Sequence, residues 1–137
     1  LRTSELKGFH IRGLAESILV QLFADDTLVY LHHNDNVDEL YRIIDLFCLA
    51  STARFNIDKT NYLPVGTPAF REQFTTLPRL QPAQTTIIPT NLVIPDGKPL
   101  RTLGCYIGNK ISIEDKFDTI IEKQRAIATK WSATHPS

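Results

Sequence analysis

Methionine is missing altogether from these 137 residues, and the sequence opens on Leu1. A reading frame begins on Met, so the sequence reads as an internal piece of a longer one, and a site with parts outside it is to be expected. Cysteine is scarce as well. Cys48 and Cys105 stand far apart without metal-ligand spacing, which argues against a disulfide framework or a zinc knuckle and leaves two reduced thiols as the plain reading. No apolar run approaches the roughly 20 residues of a membrane span, and no secretory leader pattern is present. These absences point to an intracellular protein, nuclear or cytoplasmic, without a membrane partner. Net charge is lacking too: the formal total is +0, unlike the ordinary basic nucleic-acid binder.

What is present suits one globular domain: 42% of the residues are hydrophobic, enough to bury a core without staples. The charge is unevenly spread. From Glu16 to Asp58 the acids Glu16, Asp25, Asp26, Asp35, Asp38, Glu39, Asp45 and Asp58 outnumber Arg42 and Arg54. From Lys98 to Lys130 the bases Lys98, Arg101, Lys110, Lys116, Lys123, Arg125 and Lys130 gather. Solvated faces account for such blocks; an acidic end for metal and a basic end for phosphate is the sharper alternative.

Local patterns set the expected elements. In "LKGFHIRG" Phe9 and Ile11 alternate with polar residues between glycines, a short strand. "ESILVQLF" reads as a second, more buried strand, "ADD" as a turn and "TLVYLH" as the returning strand, so the acids stand at a hairpin tip. "NDNVDELYRIIDLFCLASTARF" changes period: Val37, Leu40, Tyr41, Ile44, Phe47 and Cys48 recur at three- and four-residue steps, predicting a helix over Val37 to Thr52. Asn36 is its N-cap, with Glu39 placed to complete a capping box. Lys59 falls at a polar break in "FNIDKTNYLPVG". Pro68, Pro78, Pro82 and Pro89 punctuate a stretch with little periodicity, read as a long surface excursion. Leu92 to Ile94, the turn "PDGK" and Leu100 to Ile107 predict a second hairpin. A closing helix begins near Ser112, with Asp115 as capping partner and an apolar stripe of Ile113, Phe117, Ile120, Ile121, Ile127 and Trp131.

Adjacent carboxylates at a rigid tip suit a hard divalent cation, because Mg²⁺ prefers oxygen ligands and keeps several waters. A simple exposed turn is the bland account of "DD"; the apolar runs on either side, expected to bury the hairpin legs, favour the metal. His32 and His33 lack a supporting Cys or carboxylate cluster and read as exposed histidines at a strand end.

"FADDTLVYL" resembles the metal-binding hairpin of reverse transcriptases, an aromatic residue, any residue, then Asp-Asp, with Phe23 where Tyr is commoner. "FCLASTARFNIDKTNYLPVG" resembles the next palm segment, and "PLRTLGCYIG" the primer-grip hairpin with its "LG…IG" signature. "LKGFHIRG" resembles the strand before the acid hairpin. The order and wording are most similar to non-LTR (LINE-type) retrotransposon enzymes; a group II intron enzyme is the nearest rival. Only Thr67 to Thr90 is unlike the pattern.

The resemblance implies an α+β fold: a partial polymerase palm, with an antiparallel sheet whose acid-tipped hairpin packs on helices, a second, primer-grip hairpin and a C-terminal helix. Residues 1–66 would be the C-terminal part of the palm, 67–91 the excursion, 92–110 the primer-grip-like hairpin and 111–137 the start of the thumb. Asp25 and Asp26 would be metal ligands for Mg²⁺ or Mn²⁺ and, with Lys59 near the leaving pyrophosphate, the catalytic groups. Phe23 and Ala24 would lie beneath the primer terminus, and Leu103, Gly104 and Gly108 would shape the primer grip. Lys116 and Lys123, with Arg125 and Lys130, would track the duplex backbone. The implied partners are an RNA template, a DNA primer, dNTP and the rest of the retrotransposon polyprotein.

The family's further aspartate, on an earlier strand, has no counterpart in these residues. A chain of this length is therefore expected not to polymerise alone, and to expose a sheet edge that invites self-association. Two other readings compete: a non-catalytic retrotransposon relic, and a small α/β binding or interaction module, since fold alone decides no function.

Overall fold

The computed structural model describes residues 4–23 and 26–134. It is an α+β structure: among the described residues, three α-helices and two antiparallel two-stranded sheets. The chain divides into two compact units, one ending at Val93 and one beginning at Ile94. Among the described residues no helix is long and apolar enough to cross a membrane.

In the first unit, β1 (Val20–Phe23) pairs with β2 (Asp26–Val29). The register sets Val20 against Val29 and Phe23 against Asp26. Tyr30 N–H donates to Leu19 O (2.9 Å), which carries the ladder one step further. Phe9 and Ile18 exchange backbone hydrogen bonds of 2.8 Å each way, an isolated bridge where the short leading strand was expected. The hairpin legs are less buried than their composition suggests. Leu22 and Phe23 are 73% and 65% exposed, because a two-stranded sheet covers neither of its own faces. The expected packing of the acid hairpin on helices does not cover Leu22 and Phe23.

Helix α1 (Val37–Ser51) starts and stops for local reasons. Asn36, in extended conformation, caps it: its Oδ1 accepts from Asp38 N–H at 2.9 Å. Asp38 and Glu39 place negative charge in the first turn, against the positive end of the helix dipole. The capping box is not made. Both Glu39 oxygens accept instead from Arg42, at 2.8 and 2.7 Å, since a guanidinium one turn ahead offers two donors where the Asn36 amide offers one. Thr52 ends the helix in the left-handed region at φ 58.

The stretch expected as a surface excursion is a correction. It holds α2 (Pro68–Thr76) and supplies two core residues, Phe74 and Ile88. Thr67 is the N-cap, its Oγ1 accepting from Phe70 N–H at 3.3 Å, and Pro68 occupies the first turn, where its missing N–H costs nothing. Phe74 and Ile88 pack with Val37 and Val93, and Leu31, Tyr41, Tyr62, Phe70 and Leu80 close around them. Tyr62 and Val93 form a parallel bridge, so the chain after α1 is drawn along the segment leading out of the unit. The hydroxyls of Tyr41 and Tyr62 hydrogen-bond each other. Burial, and then that bond, push the Tyr62 hydroxyl up from its ordinary pKa.

Two aspartates beside the start of α1 anchor remote backbone. Asp35, only 2% exposed, accepts from Lys7 N–H (2.8 Å), Gly8 N–H (3.1 Å) and His32 N–H (2.8 Å). Asp38 accepts from Thr85 N–H (2.9 Å) and Thr86 N–H (2.6 Å). Those bonds, the one from Thr85 N–H foremost, hold its carboxyl at about 2, below the ordinary value of 3.8. Buried Gln84 tightens the same loop, accepting from Leu80 N–H (3.1 Å) and donating to Thr86 O (2.7 Å).

In the second unit the hairpin is shorter and differently placed than expected. β3 (Leu100–Thr102) pairs with β4 (Cys105–Ile107), the register setting Leu100 against Ile107. Leu92 is not in that sheet; it closes a 3₁₀ turn, Thr90–Leu92. Pro95–Lys98 does form a turn, with Lys98 N–H donating to Pro95 O at 3.2 Å, but Gly97 N–H is tied to Asn109 O (2.8 Å) rather than to a strand partner. Helix α3 (Ile113–Thr134) closes the described chain; the side chain of Asp115, expected to cap it, lies outside the described residues.

Two tests follow from the anchors. Asp35→Ala strands three backbone N–H groups, that of Gly8 buried and those of Lys7 and His32 partly so, and is expected to destabilise the first unit by about 2–3 kcal/mol, read as a lower urea midpoint. Asp38 has a depressed carboxyl pKa, so its contribution is complete above pH 3.8 and is lost as the pH falls toward 2. Asp38→Asn should therefore flatten the decline of the unfolding midpoint over that window, and an unchanged acid limb would contradict the assignment.

Candidate functional site

The residues singled out by sequence fall into two groups, one in each unit. In the first, Phe23 and Asp26 face each other across the last pair of the β1–β2 ladder, and both are exposed. Ala24 and Asp25, between them in sequence, lie outside the described residues. Asp26 thus opens β2 as an exposed residue, its backbone set by pairing with Phe23. Lys59 ends a 3₁₀ turn, Ile57–Lys59, whose cap is Asn56; Lys59 N–H donates to Asn56 Oδ1 at 3.2 Å. Its side chain is exposed. Among the described residues, no hydrogen bond or ion pair joins Asp26 to Lys59.

The donor chemistry of the Asp25–Asp26 sequence fits a hard cation: carboxylates supply the oxygens that Mg²⁺ or Mn²⁺ takes. Among the described residues there is no group of three or more His, Cys, Asp or Glu placed to hold a metal ion, and Asp25 is not among those residues. His32 and His33 stack on each other with ring centroids 4.0 Å apart. His32 Nδ1 accepts from Asn34 N–H at 3.2 Å, which ties that nitrogen to the turn.

In the second unit the hairpin and the helix do meet. Lys123 of α3 donates to the Tyr106 hydroxyl at 3.3 Å, and its Nζ stands 5.9 Å from the centroid of that ring. Tyr106 was missed in the sequence; an aromatic inside the "LG…IG" stretch was the available signal. Leu103 and Gly104 form the β3–β4 turn, both at positive φ, 48 and 81. A two-residue turn of that kind favours Asn-Gly, so a leucine at its first position is strained. Gly108 answers a different need. A Cβ there would stand 2.8 Å from Lys98 O and 3.2 Å from the Ile111 side chain, so only glycine admits the Pro95–Lys98 turn so close. Lys110 closes the same corner with an ion pair to Asp96 at 3.0 Å. The side chain of Lys116 lies outside the described residues.

A cleft of about 810 Å³ opens elsewhere in the first unit, between the Leu6–Lys7 segment and the first turns of α1, where Glu39 and Arg42 line it. None of the residues assigned a catalytic, metal or nucleic-acid role from the sequence borders it.

Compared with models of known families, with curated proteins and with solved structures, the chain gives no significant match.

The Gly108 corner is directly testable. Gly108→Ala is expected to cost about 1–3 kcal/mol through the forced shift of the Lys98 backbone, lowering the melting temperature; an unperturbed melt would mean that the turn yields freely.

Proposed function

We propose that the chain is the C-terminal part of a reverse transcriptase palm with the start of its thumb, of the non-LTR type, serving nucleotidyl transfer onto a DNA primer 3′ end along an RNA template. One observation carries the reading: an antiparallel hairpin whose last pair is Phe23 with Asp26, so that the aromatic residue and the second aspartate of the Asp-Asp sequence stand opposite each other at the exposed end of the ladder. A tight β3–β4 turn built on "LG", with a strained leucine, supports it as the counterpart of a primer grip.

In this reading Asp25 and Asp26 hold the metal and Lys59 attends the departing pyrophosphate. A bound pair of divalent ions would supply activation of the primer 3′ oxygen and charge stabilisation on the leaving one. The residues themselves contribute placement. Backbone pairing holds Asp26 at the strand start, and Phe23 presents an aromatic face beside it. Lys123, over Tyr106, fixes where α3 meets the hairpin. The third carboxylate of the family has no counterpart in the 137 residues, so these alone are expected to bind metal and to incorporate no nucleotide.

Calorimetric titration with Mn²⁺ is the test. Saturable binding should be lost in Asp25→Ala and weakened on the order of tenfold or more in Asp26→Asn, with Lys59→Ala unchanged. Equal affinity in Asp25→Ala and the parent would overturn the reading and leave an interaction module in its place.

A further inference from the structure

Helix α3 displays a long apolar stripe in water. Phe117, Ile127 and Trp131 are 58%, 59% and 66% exposed, and Ile120 and Ile121 are 40% each. Along the helix Phe117, Ile120, Gln124, Ile127 and Trp131 follow at alternating three- and four-residue steps, the spacing of a seam that receives another helix. Exposed apolar stripes of this kind mark interaction sites on folded proteins.

The margins of the seam are unlike. Lys123 and Lys130 stand seven residues apart, so helical geometry sets both along one edge, where Lys123 also reaches the Tyr106 hydroxyl. Glu114 and Asp118, with Arg125, fall along the other. We infer that this face docks an amphipathic helix of another protein whose apolar stripe is bordered by acidic residues on the side that meets the lysine edge.

The margins decide between occupants. Two copies of this helix set antiparallel bring lysine edge against lysine edge. Set parallel, Lys123 comes opposite Ala128, with no ion pair to gain. A nucleic-acid backbone would neutralise the lysines but leave Phe117, Ile127 and Trp131 in water and meet Glu114 and Asp118 with like charge. An acid-edged helix covers the stripe and matches the charge together. This inference uses none of Asp25, Asp26 and Lys59, and it assigns to a partner helix lysines that the polymerase resemblance would set along a duplex backbone, so the two readings make opposite demands on this edge.

Trp131 is the sole tryptophan and lies in the seam, so its fluorescence reports burial there. The probes are two tryptophan-free synthetic helices of four heptads, with Leu and Ile in the seam and either Glu or Lys at every flanking position. The full 137-residue chain should bind the Glu-flanked peptide saturably, with a blue shift of Trp131, and the Lys-flanked one roughly tenfold more weakly. In the double variant Lys123→Glu, Lys130→Glu, with circular dichroism unchanged, the preference should invert. Equal affinity for both peptides overturns the inference, as does the absence of a shift with either. A shift that follows protein concentration alone, with doubled mass in sedimentation, assigns the face to a second copy and overturns it too. So does a shift produced by an RNA–DNA duplex and by neither peptide.

Discussion

The first unit depends on one buried carboxylate. Asp35 draws Lys7, Gly8 and His32 amides onto its two oxygens, and its own N–H donates to His32 O at 2.9 Å. Removing such a charge from water is costly, and charge-assisted bonds from backbone donors are what offset it. The position matters as much as the bonds. Asp35 immediately precedes the N-cap of α1, so the turn that buries the carboxylate also sets the direction in which the helix leaves. The leading segment, the end of the acid hairpin and the first helix are thereby oriented by a single side chain.

Asp38 repeats the device one turn later, reaching Thr85 and Thr86. The loop it holds is the one that leads into Ile88, which packs on Val37 and Phe74. Polar anchoring and apolar packing are coupled here: Val37 sits between the two aspartates in sequence, so the bonds that fix the helix start also position the most buried side chain of the core, at 1% exposure. The buried apolar set is small, and the anchors stand in for area that the unit does not bury.

How legible these features are in the sequence follows from the range of the interactions. Helix α1 is legible because its signals are local: three- and four-residue recurrence, an Asn at the cap, and an end within one residue of the expected Thr52. The acid hairpin is legible for the same reason, although the burial of its legs is not, since burial depends on what covers a face and not on what the face is made of. Helix α2 is lost to a misjudged proline: Pro68 counts as a breaker unless Thr67 before it is weighed as a cap. The second hairpin is misplaced because Asp96–Gly97 is the stronger textual turn signal, whereas the chain turns at Leu103–Gly104 against the conformational preference of leucine. Asp35 and Asp38 look like solvated charge because, His32 apart, their partners lie 27–28 and 47–48 residues away.

The exposed hairpin legs bear on the site itself. A metal-bearing tip works only if its carboxylates are held to a fraction of an ångström by a supporting shell. In this structure the support of the tip is the four-pair ladder of β1 and β2. Further down, Tyr30 donates from its hydroxyl to Gln21 Oε1 at 2.9 Å, and its ring lies 6.3 Å from that of Phe9. The base of the hairpin is thus braced while Leu22 and Phe23, nearest the acids, face solvent. On the polymerase reading that exposed apolar pair is where neighbouring palm surface would lie, and covering it would turn a two-stranded ribbon into one face of a sheet. The same surface that would complete the catalytic set of carboxylates would therefore also stiffen the two already present. On that reading, catalytic completeness and tip rigidity would be a single structural requirement for this hairpin.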